Sequence, residues 1–68
     1  MDQESFNLSL RKFLKTVGVG SQREVEQAVA NGIASGKISG VETLPATMTL
    51  SIKGLQLEFT FDGEIKLQ

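Results

Sequence analysis

This chain of 68 residues contains no histidine, cysteine, tryptophan or tyrosine. The side chains that most often move protons near neutral pH or act as thiolate nucleophiles are therefore missing. Ser-His and Cys-His nucleophilic pairs are excluded, as are zinc sites built from Cys and His. What remains is carboxylate, lysine, serine and threonine chemistry, and no pair of these stands in a motif with a mechanism. The sequence points away from an enzyme, and it nominates no catalytic residue, no metal-ligand set and no cofactor site.

Weaker constellations remain to be weighed. Gly18-Val19-Gly20-Ser21, just ahead of an expected helix, could offer free N–H groups to a phosphate, with Arg23 as counter-charge. The motif lacks the Lys-Ser/Thr ending and the preceding strand of a nucleotide-binding loop, and a helix-ending glycine followed by a helix-starting serine accounts for every residue in it. Asp62 and Glu64 lie two apart at an expected turn, but one or two carboxylates without further oxygen ligands hold a hard cation poorly. Arg11, Lys12, Lys15 and Arg23 form the one basic cluster. Set on two helices joined by a glycine-containing turn, they have the outline of a helix-turn-helix. Against that reading, the exposed positions of the second helix include Gln22, Glu26, Gln27 and Asn31, and acids repel phosphate. Phe61 is the best candidate for an exposed aromatic.

The elements that must position these residues follow from periodicity. Phe6, Leu10, Phe13, Leu14 and Val17 fall on one face of a helix over about residues 3–17, which Gly18 is expected to end. Asp2 and Glu4 lie at its positive end, and Arg11, Lys12 and Lys15 toward its negative end, as the macrodipole favours. Ser21-Gln22-Arg23-Glu24 has the form of a capping box that opens a second helix. That helix carries Val25, Ala28, Val29, Gly32 and Ile33 inward and stops at Gly36, where a left-handed residue is expected. Residues 37–45, with Gly40 and Pro45, read as a connecting loop.

From Ala46 onward nearly every second residue is apolar, the mark of strands with one buried face. A two-residue turn at Lys53-Gly54 sets Ile52 opposite Leu55, Leu50 opposite Leu57 and Met48 opposite Phe59. A three-residue loop, Phe61-Asp62-Gly63, then adds a third strand with Ile65 and Leu67 inward and releases Phe61 from the core. The expected fold is α+β and two-layered: two N-terminal helices packed on a three-stranded antiparallel β-meander, ααβββ, in one small domain spanning residues 1–68.

Hydrophobic residues make up 40% of the chain and charged residues 22%, with a formal net charge of −1. That composition is ordinary for a folded soluble domain and carries no global pull toward polyanions or lipid headgroups. The first twenty residues hold no apolar run long enough for a signal sequence or a membrane span, so a cytoplasmic protein with no membrane contact is expected. A domain this small usually needs a staple. With no disulfide and no zinc site to supply one, self-association or a protein partner is the remaining device.

The stretch from Ser9 to Val19 running into Ser21-Gln22-Arg23-Glu24, together with Leu44-Pro45-Ala46, Met48-Thr49-Leu50 and Asp62-Gly63-Glu64-Ile65, resembles a family of short bacterial proteins known only as a domain of unknown function. The resemblance covers nearly the whole chain. It implies a free-standing bacterial cytoplasmic protein and brings no functional residues with it. The leading functional reading is a small non-enzymatic protein-interaction module that self-associates through a sheet edge or the Arg11, Lys12 and Lys15 rim of the first helix, with Arg11, Lys12, Lys15, Arg23 and Phe61 as its candidate surface residues. The alternative is a nucleic-acid-binding protein using the helix-turn-helix-like half.

Overall fold

The computed structural model describes residues 1–68. The chain divides into two units, Met1–Lys37 and Ile38–Gln68.

The first unit is a single helix, α1, Gln3–Ala34. Asp2 caps its start in an extended conformation, and its carboxylate accepts the backbone N–H groups of Glu4 at 3.0 Å and Ser5 at 3.2 Å. At the other end Gly36 is left-handed (φ 79°), Gly36 N–H donates to the Ile33 carbonyl, and Lys37 N–H donates to that of Gly32 at 2.8 Å. This is a Schellman ending, at the glycine where the sequence placed it.

Two helices were expected, and one is found. Gly18 does not end the helix, and Ser21-Gln22-Arg23-Glu24 does not start one. Magnitudes explain the outcome. Two glycines inside a helix cost about 2 kcal/mol relative to alanine. Interrupting the ladder forfeits up to four backbone hydrogen bonds at about 0.5–1.5 kcal/mol each, unless caps restore them. Continuity also keeps Phe6, Leu10, Phe13, Leu14, Val17, Val25, Ala28 and Gly32, with Ser21 among them, within about 120° of arc, whereas Val29 and Ile33, expected on the inward face, fall outside it.

The second unit is a hairpin of β1, Thr43–Ile52, and β2, Leu57–Lys66, joined by a short 3-10 turn at Lys53–Leu55. The expected three-stranded meander is replaced by this two-stranded sheet. The first turn has four residues, Lys53–Gln56. Gln56 is left-handed (φ 51°), and its N–H donates to the Lys53 carbonyl. The register therefore places Ile52 opposite Leu57, Leu50 opposite Phe59 and Met48 opposite Phe61, and not opposite Leu55, Leu57 and Phe59. No second turn forms at Phe61-Asp62-Gly63: Gly63 is mid-strand, opposite Ala46.

The reason lies at the other end of the hairpin. β1 begins at Thr43, within the stretch expected to be loop, so β2 has a partner along its whole length, and Ile65 pairs with Leu44 on the same apolar face without any third strand. Pro45 fits inside β1 because of the hydrogen-bond alternation. Leu67 N–H donates to the Glu42 carbonyl, which makes pairs in phase with it the bonded ones and Pro45–Glu64 a non-bonded pair. The missing proline N–H thus points away from the partner strand.

Neither unit has an interior. Within each unit taken by itself, no side chain is buried.

Candidate interaction surfaces

On α1 the sequence sorts side chains into two faces. The apolar stripe is bulky in its N-terminal half and small in its C-terminal half, running from Phe6, Leu10, Phe13 and Leu14 to Ser21, Ala28 and Gly32. Phe13 and Leu14 are 51% and 53% exposed. Val17, Ser21 and Gly32 are half-buried by their helical neighbours. The opposite face holds Arg11, Lys12 and Lys15, which are neighbours at helical spacings of three and four. Arg23 shares this face about 12 Å farther along the axis. With no bend between them, the four cations line one straight rod and do not flank a turn. Glu26 lies on the same face, accepting from the Gln22 side-chain amide at 3.2 Å.

Continuity of α1 removes the anion-binding arrangement considered at Gly18–Ser21. Inside a helix those N–H groups donate to carbonyls four residues back. The one helix start, at Asp2, is filled by its own carboxylate, which also accepts from the Ser5 hydroxyl at 3.0 Å. These bonds hold the Asp2 carboxyl below its ordinary value, the Ser5 backbone bond contributing most.

On the hairpin, Leu44, Ala46, Met48, Leu50 and Ile52 share a face with Leu57, Phe59, Phe61 and Ile65. Phe61, expected in a loop, stands within β2, 56% exposed, with its ring 4.9 Å from that of Phe59 and tilted by 59°. The other face is polar: Thr47, Thr49, Ser51, Glu58, Thr60, Asp62 and Glu64. The Thr49 and Thr60 hydroxyls meet at 3.1 Å across a non-bonded pair, where opposed side chains lie closest. Asp62 and Glu64 face outward here, and no group of three or more acidic side chains gathers to hold a metal ion. Both strands are edges.

Sequence reasoning passed over Glu42. Its Oε2 accepts the Ser39 N–H at 2.8 Å and the Ser39 hydroxyl at 3.1 Å, while its Oε1 accepts the N–H groups of Gly40 at 2.9 Å and Val41 at 3.1 Å. The Ser39 backbone bond leads in lowering the carboxyl to about 2, against a smaller opposing effect of desolvation. The signal was present as an acid two or three residues after a Ser-Gly pair, in a stretch set aside as loop. Because its acceptors are occupied by its own backbone, Glu42 shapes the chain and is not a free ligand.

No helix is long and apolar enough to cross a membrane. A family model described as a family of unknown function, DUF6494, matches residues 1–68. No curated protein and no solved structure matches the chain.

Proposed function

We propose that this chain, which belongs to the DUF6494 family of unknown function along its whole length, is a non-enzymatic protein-interaction module that self-associates. One observation carries this reading: each unit presents a largely apolar face, broken on α1 by Ser21 and Glu24, yet within neither unit is a side chain buried. Hydrophobic burial is the dominant favourable term in folding. An isolated two-stranded hairpin is marginal in water, and most helical stability in proteins comes from packing an amphipathic face. A protein surface that covers these faces supplies the missing burial. The setting, on the resemblance of the Arg11–Gly18 and Asp62–Ile65 segments, is the bacterial cytoplasm.

The test is sedimentation equilibrium together with thermal melts over a hundredfold range of concentration. An oligomeric mass and a melting temperature that rises with concentration are expected, because association stabilises by mass action. A monomeric mass with a dilution-independent melt overturns the reading.

A second reading rests on the alignment of Arg11, Lys12, Lys15 and Arg23 along the polar face of α1. It is nucleic-acid binding by that straight basic edge. It requires binding that weakens steeply with salt and is lost on Arg11→Glu plus Lys15→Glu. No change with DNA or RNA at low salt disposes of it.

A further inference from the structure

We infer that the partner on the α1 stripe is a second copy of the same helix, lying antiparallel about a two-fold axis level with Val19. This inference rests on the self-association proposed above and specifies its geometry.

The order of side-chain sizes along the stripe carries the argument. Reversing one helix against another about residue 19 sets Phe6 against Gly32, Leu10 against Ala28, Phe13 against Val25 and Val17 against Ser21. Large meets small at Phe6–Gly32 and Leu10–Ala28, Phe13 meets the mid-sized Val25, and the central level pairs Val17 with Ser21. Leu14 comes level with Glu24, whose carboxylate sits at the border of the seam. Facing helices fill the space between them best when large and small residues alternate across the seam. A parallel pair would stack Phe6 on Phe6 and leave Gly32 facing Gly32.

The glycines agree. Gly18 and Gly20 flank the axis symmetrically, and a Cβ added to either meets nothing within 4 Å, so packing within the chain gives no reason for these two helix-weakening residues. They lie just outside the two borders of the stripe, so at the crossing level they leave the margins of the seam free of side chains.

Charge agrees as well. Asp2 and Glu4 come level with the partner's C-terminal turn and its lysine at position 37, and the helix dipoles oppose. Glu24, the one acid on the stripe, lies about 15 Å from its counterpart along the axis, whereas parallel pairing sets the two side by side. The basic face stays outward in either copy.

The area is adequate. Phe6, Leu10, Phe13 and Leu14 are 46%, 41%, 51% and 53% exposed. With the smaller stripe residues they offer ~600 Å² per copy, given ~200 Å² for a phenylalanine. A symmetric pair therefore buries at most ~1,200 Å², the lower edge of the range of stable specific interfaces.

The chain has no cysteine, which allows a direct test in the full-length protein. Asn7→Cys and Asn31→Cys are made separately at exposed polar positions on the two edges of the stripe, and each is treated with a short bismaleimide, alone and after equimolar mixing. The antiparallel pair predicts covalent dimers in the mixture, approaching half the protein, and at least tenfold fewer in either variant alone, where like positions lie about 36 Å apart along the axis. Self-crosslinking of each single variant would overturn the inference in favour of parallel pairing. An oligomer by sedimentation with no crosslink in any sample would overturn this seam and leave self-association standing. A monomer by sedimentation would overturn both.

Discussion

The helix and the hairpin meet the same difficulty, an apolar face with nothing of their own unit behind it, and they differ in what that face specifies. On α1 the stripe changes from bulky to small along its length, so it has a direction, and its best complement is itself reversed. On the hairpin, large residues stand at both ends of the face, from Leu44 and Ile65 to Ile52 and Leu57, with the small pair Ala46–Gly63 between them. That face is apolar without a polarity of size, and it suits many covers. Backbone bonding differs too. The helix satisfies its donors and acceptors internally, whereas each strand leaves one edge open to a further strand.

The comparison breaks most sharply at two substitutions. Leu10→Asp places a carboxylate on the stripe at both symmetric copies of the Leu10–Ala28 contact. It is expected to cost about 3–6 kcal/mol of dimer stability, from about 1.5–3 kcal/mol per buried leucine, and to give a monomer in sedimentation at micromolar concentration. Phe59→Asp on the hairpin face is expected to leave the dissociation constant within about threefold. The reverse pattern would move the seam from the helix to the hairpin.

Gly18→Ala with Gly20→Ala sharpens the same contrast with a smaller effect of opposite sign in two readouts. At high dilution each alanine adds about 1 kcal/mol to the helix, so helicity by circular dichroism rises. The added methyl groups flank the crossing point and hold the backbones apart, so the dimer dissociation constant rises about tenfold. Gains in both helicity and association would show that the glycines have no role at a seam.

These elements also show what could be read before the structure was known. In the hairpin, the faces of Met48, Leu50, Ile52, Leu57 and Phe59 were legible, because lengthening the turn from two residues to four shifts every pairing by two and leaves these side chains on their side, whereas Leu55 went into the turn and Phe61 joined the apolar face. Thus Met48, Leu50 and Ile52 sit with Leu57 and Phe59 as expected, although their partners changed. The third strand was inferred from Asp62-Gly63, a strong turn signal, which lost to a β1 longer than Pro45 and Gly40 had suggested. In the helix, the first half of the stripe and Val25, Ala28 and Gly32 of the second were legible, while Val29 and Ile33 and the connection between the halves were not. Gly18, Gly20 and a Ser-x-x-Glu motif are local stop and start signals, whereas the unbroken phase from Val17 through Ser21 to Val25 is a longer-range one. Of the candidate surface residues, the basic four stand on one continuous helix and not beside a bend, and Glu42 was passed over because hydrogen bonds from backbone to side chain leave no periodic trace.

A smaller effect is expected at the hairpin turn. Gln56 is the one non-glycine residue with positive φ, a conformation that disfavours a Cβ. Gln56→Gly removes that strain and is expected to stabilise the hairpin by about 0.5–1 kcal/mol, less than the strain itself because glycine also loosens the unfolded chain. Retarded amide exchange in β1 and β2, with α1 unchanged, is the readout. Equal retardation in both elements would mean that the two units unfold as one.

The smallest effect separates the units by pH. Glu42 titrates at about 2, below its ordinary 4.5, so the order it imposes on Ser39–Val41 is complete above about pH 4.5 and is lost as pH falls through about 2. Asp2 is also lowered, so acid loosens the start of α1 in the same direction. Glu42→Gln distinguishes the two. An amide side chain has one acceptor oxygen where the carboxylate has two, so it can keep the pair of bonds from Ser39 or the pair from Gly40 and Val41, but not both. The variant is expected to lose the low-pH shift of the Ser39, Gly40 and Val41 amide resonances while the Glu4 and Ser5 amides still titrate with Asp2. If the Ser39–Val41 resonances still moved near pH 2 in Glu42→Gln, another carboxyl would be holding this turn.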